Sequence, residues 1–239
     1  MSPVAKVFQQ ILDDHSTKNC MAVFDLDSTL YNVSFRTQKI IEDFIFQSKA
    51  QNKFLSELPH LSLVRVEMQD WGLRDSFSRV DFEPSPELFR ELRNYWNKHF
   101  FSSEYLVHDM PYRGSVDYVN RLATHGVQIV YLTGRDAPNM HTGTVASLKQ
   151  WKFPLESLEH LILKNSKGEI EDEDYKSLKI NDLKKQNKKI WFFENEPVII
   201  NKVLKHHDDI DVIWVNTTHS RRERPPADII TIEDEWSTG

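Results

Sequence analysis

The chain has one cysteine in 239 residues, so no intrachain disulfide can form and a reducing compartment is its natural setting. Cys20 stands at the start of an apolar run and reads as a packing thiol rather than a reactive one. No stretch approaches the roughly 18 to 20 apolar residues of a membrane span. Residues 1–19 lack the basic segment and apolar block of a secretory leader, so a cytoplasmic location is expected. A basic excess is missing too: 30 Lys and Arg stand against 36 Asp and Glu, a formal net charge of -6. That balance argues against nucleic acid or an anionic membrane as a partner of the whole molecule, and it favours solubility. There is no internal repeat, low-complexity tract or Gly/Ser-rich linker. With 39% hydrophobic and 28% charged residues, the chain reads as a water-soluble globular protein of one large or two small domains.

Short apolar runs recur, rich in β-branched and aromatic residues: CMAVFD (20–25), VQIVYLT (127–133), HLILK (160–164), KIWFFE (189–194) and DVIWVN (211–216). Most lack alternation, as expected of strands covered on both faces. Helix-like stretches between the later runs have lengths suited to crossovers, so a doubly wound, mostly parallel α/β sheet is expected. Residues 34–108 break this rhythm with helical periodicity and no convincing strand. There Ser85 before Pro86 and Glu87 marks a helix start, since a hydroxyl can cap free N–H groups and Pro suits the first turn. The expected organisation is a core of residues 1–33 and 109–239 with a helical insertion at 34–108.

The densest chemical signal is FDLDSTL (24–30), where an apolar strand ends in two carboxylates one residue apart. In a parallel α/β sheet, ligands bind in the crevice beyond the carboxyl ends of the strands, where Asp25 and Asp27 would project. Two acids this close need a cation between them, or one keeps its proton. The pair can therefore supply one nucleophile, Asp25, and one general acid/base, Asp27. A solvated strand-end turn is the competing reading, since Asp and Ser are common in turns.

DLDST following a hydrophobic strand resembles the first motif, DxDx(T/V), of the haloacid dehalogenase-like superfamily. The resemblance implies a Rossmann-like core, an aspartyl-phosphate on Asp25, an acid/base role for Asp27 and a supporting role for Thr29. The family's second motif is a Ser or Thr at a strand end, which VQIVYLTGR matches with Thr133, followed by Gly134. A hydroxyl and backbone N–H groups suit a phosphoryl oxygen, and glycine permits close backbone approach. The third is a lysine, for which Lys164, Lys176 and Lys179 compete. The family's spacing favours Lys176, expected in the first turn of the helix before WFFENEP, where a cation opposes the helix dipole and needs an anionic partner. The fourth is an acidic cluster that completes a Mg2+ site. WFFENEP departs from the family's paired aspartates and offers Glu194 and Asn195; alignment on Pro197 favours Asn195 as the ligand beside Asp25 and the carbonyl of Asp27.

The insertion resembles the helical cap that this superfamily carries between its first two motifs. A cap favours a small phosphate ester as substrate, with His60, Arg65, Trp71, Arg74 and Arg79 as candidate contacts. Magnesium-dependent phosphomonoester hydrolysis is the leading expectation. Phosphotransfer by the same motifs and a weakly catalytic binding module are the alternatives, the latter because of Glu194-Asn195-Glu196. The pair His206-His207 reads as a surface turn, and HSRRER (219–224) as a solvated loop.

Overall fold

A computed structural model describes residues 1–165 and 170–238. Helix α1 (Pro3–Lys18) starts with Ser2, whose hydroxyl accepts from the Ala5 N–H, and with Pro3 in its first turn. Strand β1 (Cys20–Phe24) follows, then the two-residue β2 (Tyr31–Asn32). The helical insertion comprises α2 (Ser34–Ala50), the short α3 (Leu58–Leu61) and α4 (Leu73–Phe77), α5 (Pro86–Phe100) and a 3-10 turn at Ser103–His108. The chain returns through β3 (Met110–Pro111), antiparallel to β2, so these two form a neck through which the insertion leaves and re-enters.

From there helices and strands alternate: α6 (Ser115–Thr124), β4 (Gln128–Asp136), α7 (Ala137–Gln150), β5 (Leu161–Lys164) and α8 (Asp172–Lys184). They continue with β6 (Lys189–Glu194), α9 (Pro197–His206), β7 (Asp211–Val215) and β8 (Ile230–Ile232). Six strands form one parallel sheet in the order β5-β4-β1-β6-β7-β8. After β1 the chain builds outward through β4 and β5, then crosses back to β6 on the other side. The switch point therefore flanks β1, where a doubly wound sheet opens a crevice.

The solid apolar runs follow from burial on both faces. Along β1, Cys20, Ala22 and Phe24 enter one core with Val7 and Ile11 of α1, Tyr118 and Leu122 of α6 and Leu148 of α7. Met21 and Val23 enter the other, with Ile180 and Leu183 of α8 and Ile199, Ile200 and Val203 of α9. Each such side chain, fully buried, contributes about 1.5–3 kcal/mol. The insertion has a third apolar cluster of its own, built from Ile41, Phe44, Leu58, Leu61, Val64, Leu73, Phe77, Leu88 and Leu92. Among the described residues no helix is long and apolar enough to cross a membrane.

All five expected strands form. Four elements lie outside the alternation read from the sequence: α1, the short neck strands β2 and β3, and β8, whose three residues are hemmed by Asp228, Glu233 and Asp234. The helical pattern running past residue 50 is broken at Asn52 and Phe54, which take the left-handed conformation at φ 56° and 53°. α5 starts as expected, with Ser85 accepting from the Leu88 N–H.

The 3-10 turn lies directly on α7. A Cβ at Gly143 would stand 2.5 Å from the Ser103 carbonyl oxygen, and the Gly143 N–H donates to the Ser103 hydroxyl. In an open helix, Gly to Ala stabilises by about 1 kcal/mol. Here Gly143→Ala is expected to destabilise by about 1–3 kcal/mol, because neither backbone can give way. Urea denaturation of the variant and parent checks the sign.

Candidate active site

The Asp25 N–H donates to the Phe193 carbonyl, 3.0 Å away, and so extends the β1–β6 pairing by one residue. The carboxyl-terminal ends of β1 and β6 thus bring Asp25 and Glu194 together. Lys176, in the second turn of α8, places its Nζ 2.6 Å from Asp25 Oδ1 and 2.6 Å from Glu194 Oε2. All three side chains are at most 5% exposed. Lys164 instead pairs with Asp172 at 2.7 Å, and Lys179 with Asp182 at 3.6 Å on the surface. Of the three candidate lysines, Lys176 is the one brought to Asp25.

One ammonium serving two buried carboxylates leaves a deficit of positive charge. Burial pushes Glu194 up to about 8, with the Asp25 charge adding to the rise and Lys176 opposing it. Burial likewise raises Asp25. For Lys176 burial acts the other way, but the two carboxylates outweigh it and hold the ammonium charged.

Asp27 sits in a separate network. Its carboxylate lies 2.8 Å from Arg36 Nη2 and 3.1 Å from Arg135 Nε, and Asp109 receives both guanidiniums, at 2.6 Å and 2.8 Å. Two cations here meet two anions, so the charges balance. Burial alone would raise Asp27, but Arg135 and Arg36 override it and hold the carboxyl well below the usual range. The turn that carries Asp27 places Ser28 in the left-handed region at φ 62° and folds the N–H groups of Thr29, Leu30 and Tyr31 onto the Leu26 carbonyl. Thr29 donates its hydroxyl to Asn195 Oδ1 at 3.1 Å, which ties this turn to the end of β6.

Thr133, 1% exposed, and Gly134 lie within β4 near its carboxyl end. The Thr133 hydroxyl accepts from the Arg135 N–H at 3.3 Å. A Cβ on Gly134 would stand 2.7 Å from Asp172 Oδ2, so glycine leaves room for that carboxylate beside the end of β4. Beyond β6, Glu194 Oε1 accepts the N–H groups of Asn195 and Glu196, and the Asn195 amide donates to the Thr218 carbonyl at 2.6 Å. Of the two candidate ligands, Glu194 shares the ammonium with Asp25, whereas Asn195 is held by Thr29 and Thr218. Two bland readings also shift. Glu196 takes the Ser220 N–H and hydroxyl, at 2.8 Å and 2.7 Å, and so fastens part of HSRRER to the site, although Arg221 and Arg222 stay largely solvated. His207 is buried against Ser177 rather than lying on a surface turn.

These groups floor a cavity of about 310 Å3, lined by Asp25, Asp27, Thr133, Gly134, Lys176 and Glu194. Its other walls include Trp71, Trp96, Phe100 and Phe101 of the insertion. Of the five insertion residues expected to face substrate, Trp71 does so. Arg79 pairs with Asp70, Arg65 donates to backbone carbonyls, Arg74 lies over Phe89 and His60 stacks on Phe82. Sequence reasoning missed Arg36 and Asp109. Arg135 was legible as part of TGR, but its partners were not.

Among the described residues no three acidic, imidazole or thiol side chains converge as a metal cluster. The oxygen set of Asp25, Glu194, the Asn195 amide and the Asp27 carbonyl nevertheless suits a hard divalent ion, which prefers carboxylate and carbonyl donors. The uncompensated charge lies at that set. The residues fit Mg2+.

The family model for the HAD superfamily, subfamily IIIB (acid phosphatase), matches residues 90–194, which hold Thr133, Lys176 and Glu194. Over those residues the chain is similar to haloacid dehalogenase-like hydrolases of the phosphatase kind. Solved structures agree on the superfamily fold. A haloacid dehalogenase-like hydrolase from Streptococcus pneumoniae is 12% identical at TM-score 0.50, covering 82% of this chain and 85% of its own. CbbY from Rhodobacter sphaeroides, solved in complex with phosphate, is 14% identical at TM-score 0.51, with 90% and 94% covered. Protein Tyrosine Kinase A from Mycobacterium tuberculosis is 15% identical at TM-score 0.52, with the same coverage. At such identities the likeness is one of fold. No protein with a curated description matches the chain.

Raised above its ordinary 4.5, Glu194 binds more protons in the folded than in the unfolded state between about pH 4.5 and 8. Its contribution to stability is therefore full below that window and is lost as pH rises through it. A cation at the same carboxylates competes with that proton. Added Mg2+ is expected to raise the melting temperature more at pH 8 than at pH 5, as read by thermal denaturation. An equal shift at both pH values contradicts the charge account.

Proposed function

We propose that the protein hydrolyses phosphate monoesters of small molecules through a covalent phosphoryl group on Asp25, with Mg2+ as cofactor. The observation that carries this reading is Asp25 at the floor of a cavity, held by Lys176 beside Thr133 and Gly134. A buried carboxylate with a fixed ammonium at one oxygen is oriented for attack, and donors already in place stabilise charge without reorganising.

The Asp25 carboxylate attacks phosphorus, forming a P–O bond to the enzyme as the bond to the leaving oxygen breaks and that oxygen takes a proton from Asp27. The Thr133 hydroxyl and nearby backbone N–H groups bind the phosphoryl oxygens, and the Lys176 ammonium offsets their charge. Water then attacks the phosphoryl group, Asp27 takes a proton from it, and the P–O bond to Asp25 breaks to release inorganic phosphate. Asp27 serves both steps, and its pairing with two guanidiniums stabilises the ionised form that receives the proton of the attacking water. Asp25, the Asp27 carbonyl and Glu194 or Asn195 would hold magnesium, which would supply Lewis-acid charge at the phosphoryl group.

The insertion acts as a cap in this reading. Trp71, Trp96, Phe100 and Phe101 wall the cavity and exclude water, which suits a small ester with an apolar body better than a folded protein. The sole cysteine, buried in β1, suits a reducing cytoplasm.

Phosphate release from a panel of small esters, with and without Mg2+, tests the proposal. Turnover is expected to require Mg2+ and to fall by at least about 10³-fold in Asp25→Asn, which removes the nucleophile. Turnover that rises with an added organic hydroxyl while free phosphate does not would assign the chain to phosphotransfer. Absence of turnover in well-folded parent protein would leave a binding module.

A further inference from the structure

Arg36 lies in the first turn of α2, just inside the insertion, and Asp109 immediately precedes β3, where the chain returns to the core. The two residues thus stand on either side of the β2–β3 neck, 73 positions apart in sequence, and both are fully buried at 0% exposure. Arg36 Nε and Nη2 grip the two Asp109 oxygens as a fork, at 2.7 Å and 2.6 Å. Its Nη2 and Nη1 also reach the two Asp27 oxygens, at 2.8 Å and 3.5 Å. The remaining Nη1 donor goes to the Phe100 carbonyl at 3.1 Å, and the guanidinium lies over the Phe100 ring, 4.3 Å from its centroid.

A guanidinium has five N–H donors, and all five of Arg36 are engaged, on Asp27, Asp109 and the end of α5. An arrangement so fully satisfied has little freedom to drift. From the core side Arg135 holds the same two carboxylates, so Asp27 is gripped from the insertion and from β4 together.

We propose that Arg36 and Asp109 are positioning residues: they fix the Asp27 carboxylate, and they make its placement depend on the insertion being seated on the neck. The inference rests on the phosphatase reading, because Asp27 matters only if the site turns over. Neither residue touches the reacting atoms. Their effect reaches the reaction through Asp27, and it ties chemistry to cap position: an insertion swung away takes Arg36 with it and leaves Asp27 held from one side. A lysine at position 36 would keep the charge and lose the fork, since an ammonium cannot serve three acceptor groups in these directions.

A double-mutant cycle tests this. Parent, Arg36→Lys, Asp109→Asn, Asp27→Asn and the two doubles with Asp27→Asn are assayed with p-nitrophenyl phosphate and Mg2+, after circular dichroism confirms folding. Arg36→Lys and Asp109→Asn are each expected to lower kcat on the order of 10²-fold, the size of effect that follows a misplaced catalytic group, while KM moves only a few-fold. In the Asp27→Asn background either substitution should cost almost nothing further, because the group being positioned is already gone. Losses that multiply in the doubles, or full activity in Arg36→Lys, would overturn the inference while the phosphatase reading stands. An inactive parent would instead remove both. Should Arg36→Lys fail to fold, Asp109→Asn, which keeps shape and one acceptor oxygen, decides the matter alone.

Discussion

The shared ammonium of Lys176 is the interaction on which the site depends. Asp25 and Glu194 are carried to the same point by adjacent parallel strands, both out of contact with water, and two carboxylates in such a place repel one another. Lys176 makes their proximity tolerable but compensates only one charge. The remainder is met by a proton, as the elevation of Glu194 indicates, or by a hard cation.

A few ångströms of backbone away, Asp27, Asp109, Arg36 and Arg135 follow the opposite rule, since their charges cancel. Balanced buried networks of this kind contribute little to stability relative to apolar packing, but they specify geometry, and losing one member leaves a buried charge unmatched. The sheet therefore presents two carboxylates one residue apart in contrasting states: Asp25 in an under-compensated environment, Asp27 drawn toward its anionic form by two guanidiniums. Environments that push neighbouring acids apart are how one site assigns them different tasks.

Much of this was legible in the sequence because strand ends in a doubly wound sheet are abrupt. VFDLD, YLTGR and WFFENEP each pass from a buried run to polar residues within one or two positions, and the crevice lies there by construction. Lys176 followed from its place ahead of β6. Arg36 and Asp109 did not, because an arginine three residues into an amphipathic helix carries the same local signature as a solvated one, and its partner lies across the whole insertion. Glu194 and Asn195 were distinguished only by register: the parallel pairing of β1 with β6 sets Glu194 opposite the strand end that carries Asp25. The fastening of Ser220 to Glu196 was invisible for the same reason, since both lie in short polar segments that no periodicity connects.

The central claim is that Asp25 carries the phosphoryl group during turnover. Acid quenching of the enzyme while it turns over a phosphate ester, followed by borohydride reduction of any acyl phosphate and peptide mapping, measures this directly. The account predicts reduction at Asp25, dependent on substrate and absent in Asp25→Asn. Covalent phosphate on any other residue, or turnover with none on Asp25 under conditions that preserve acyl phosphates, would contradict it.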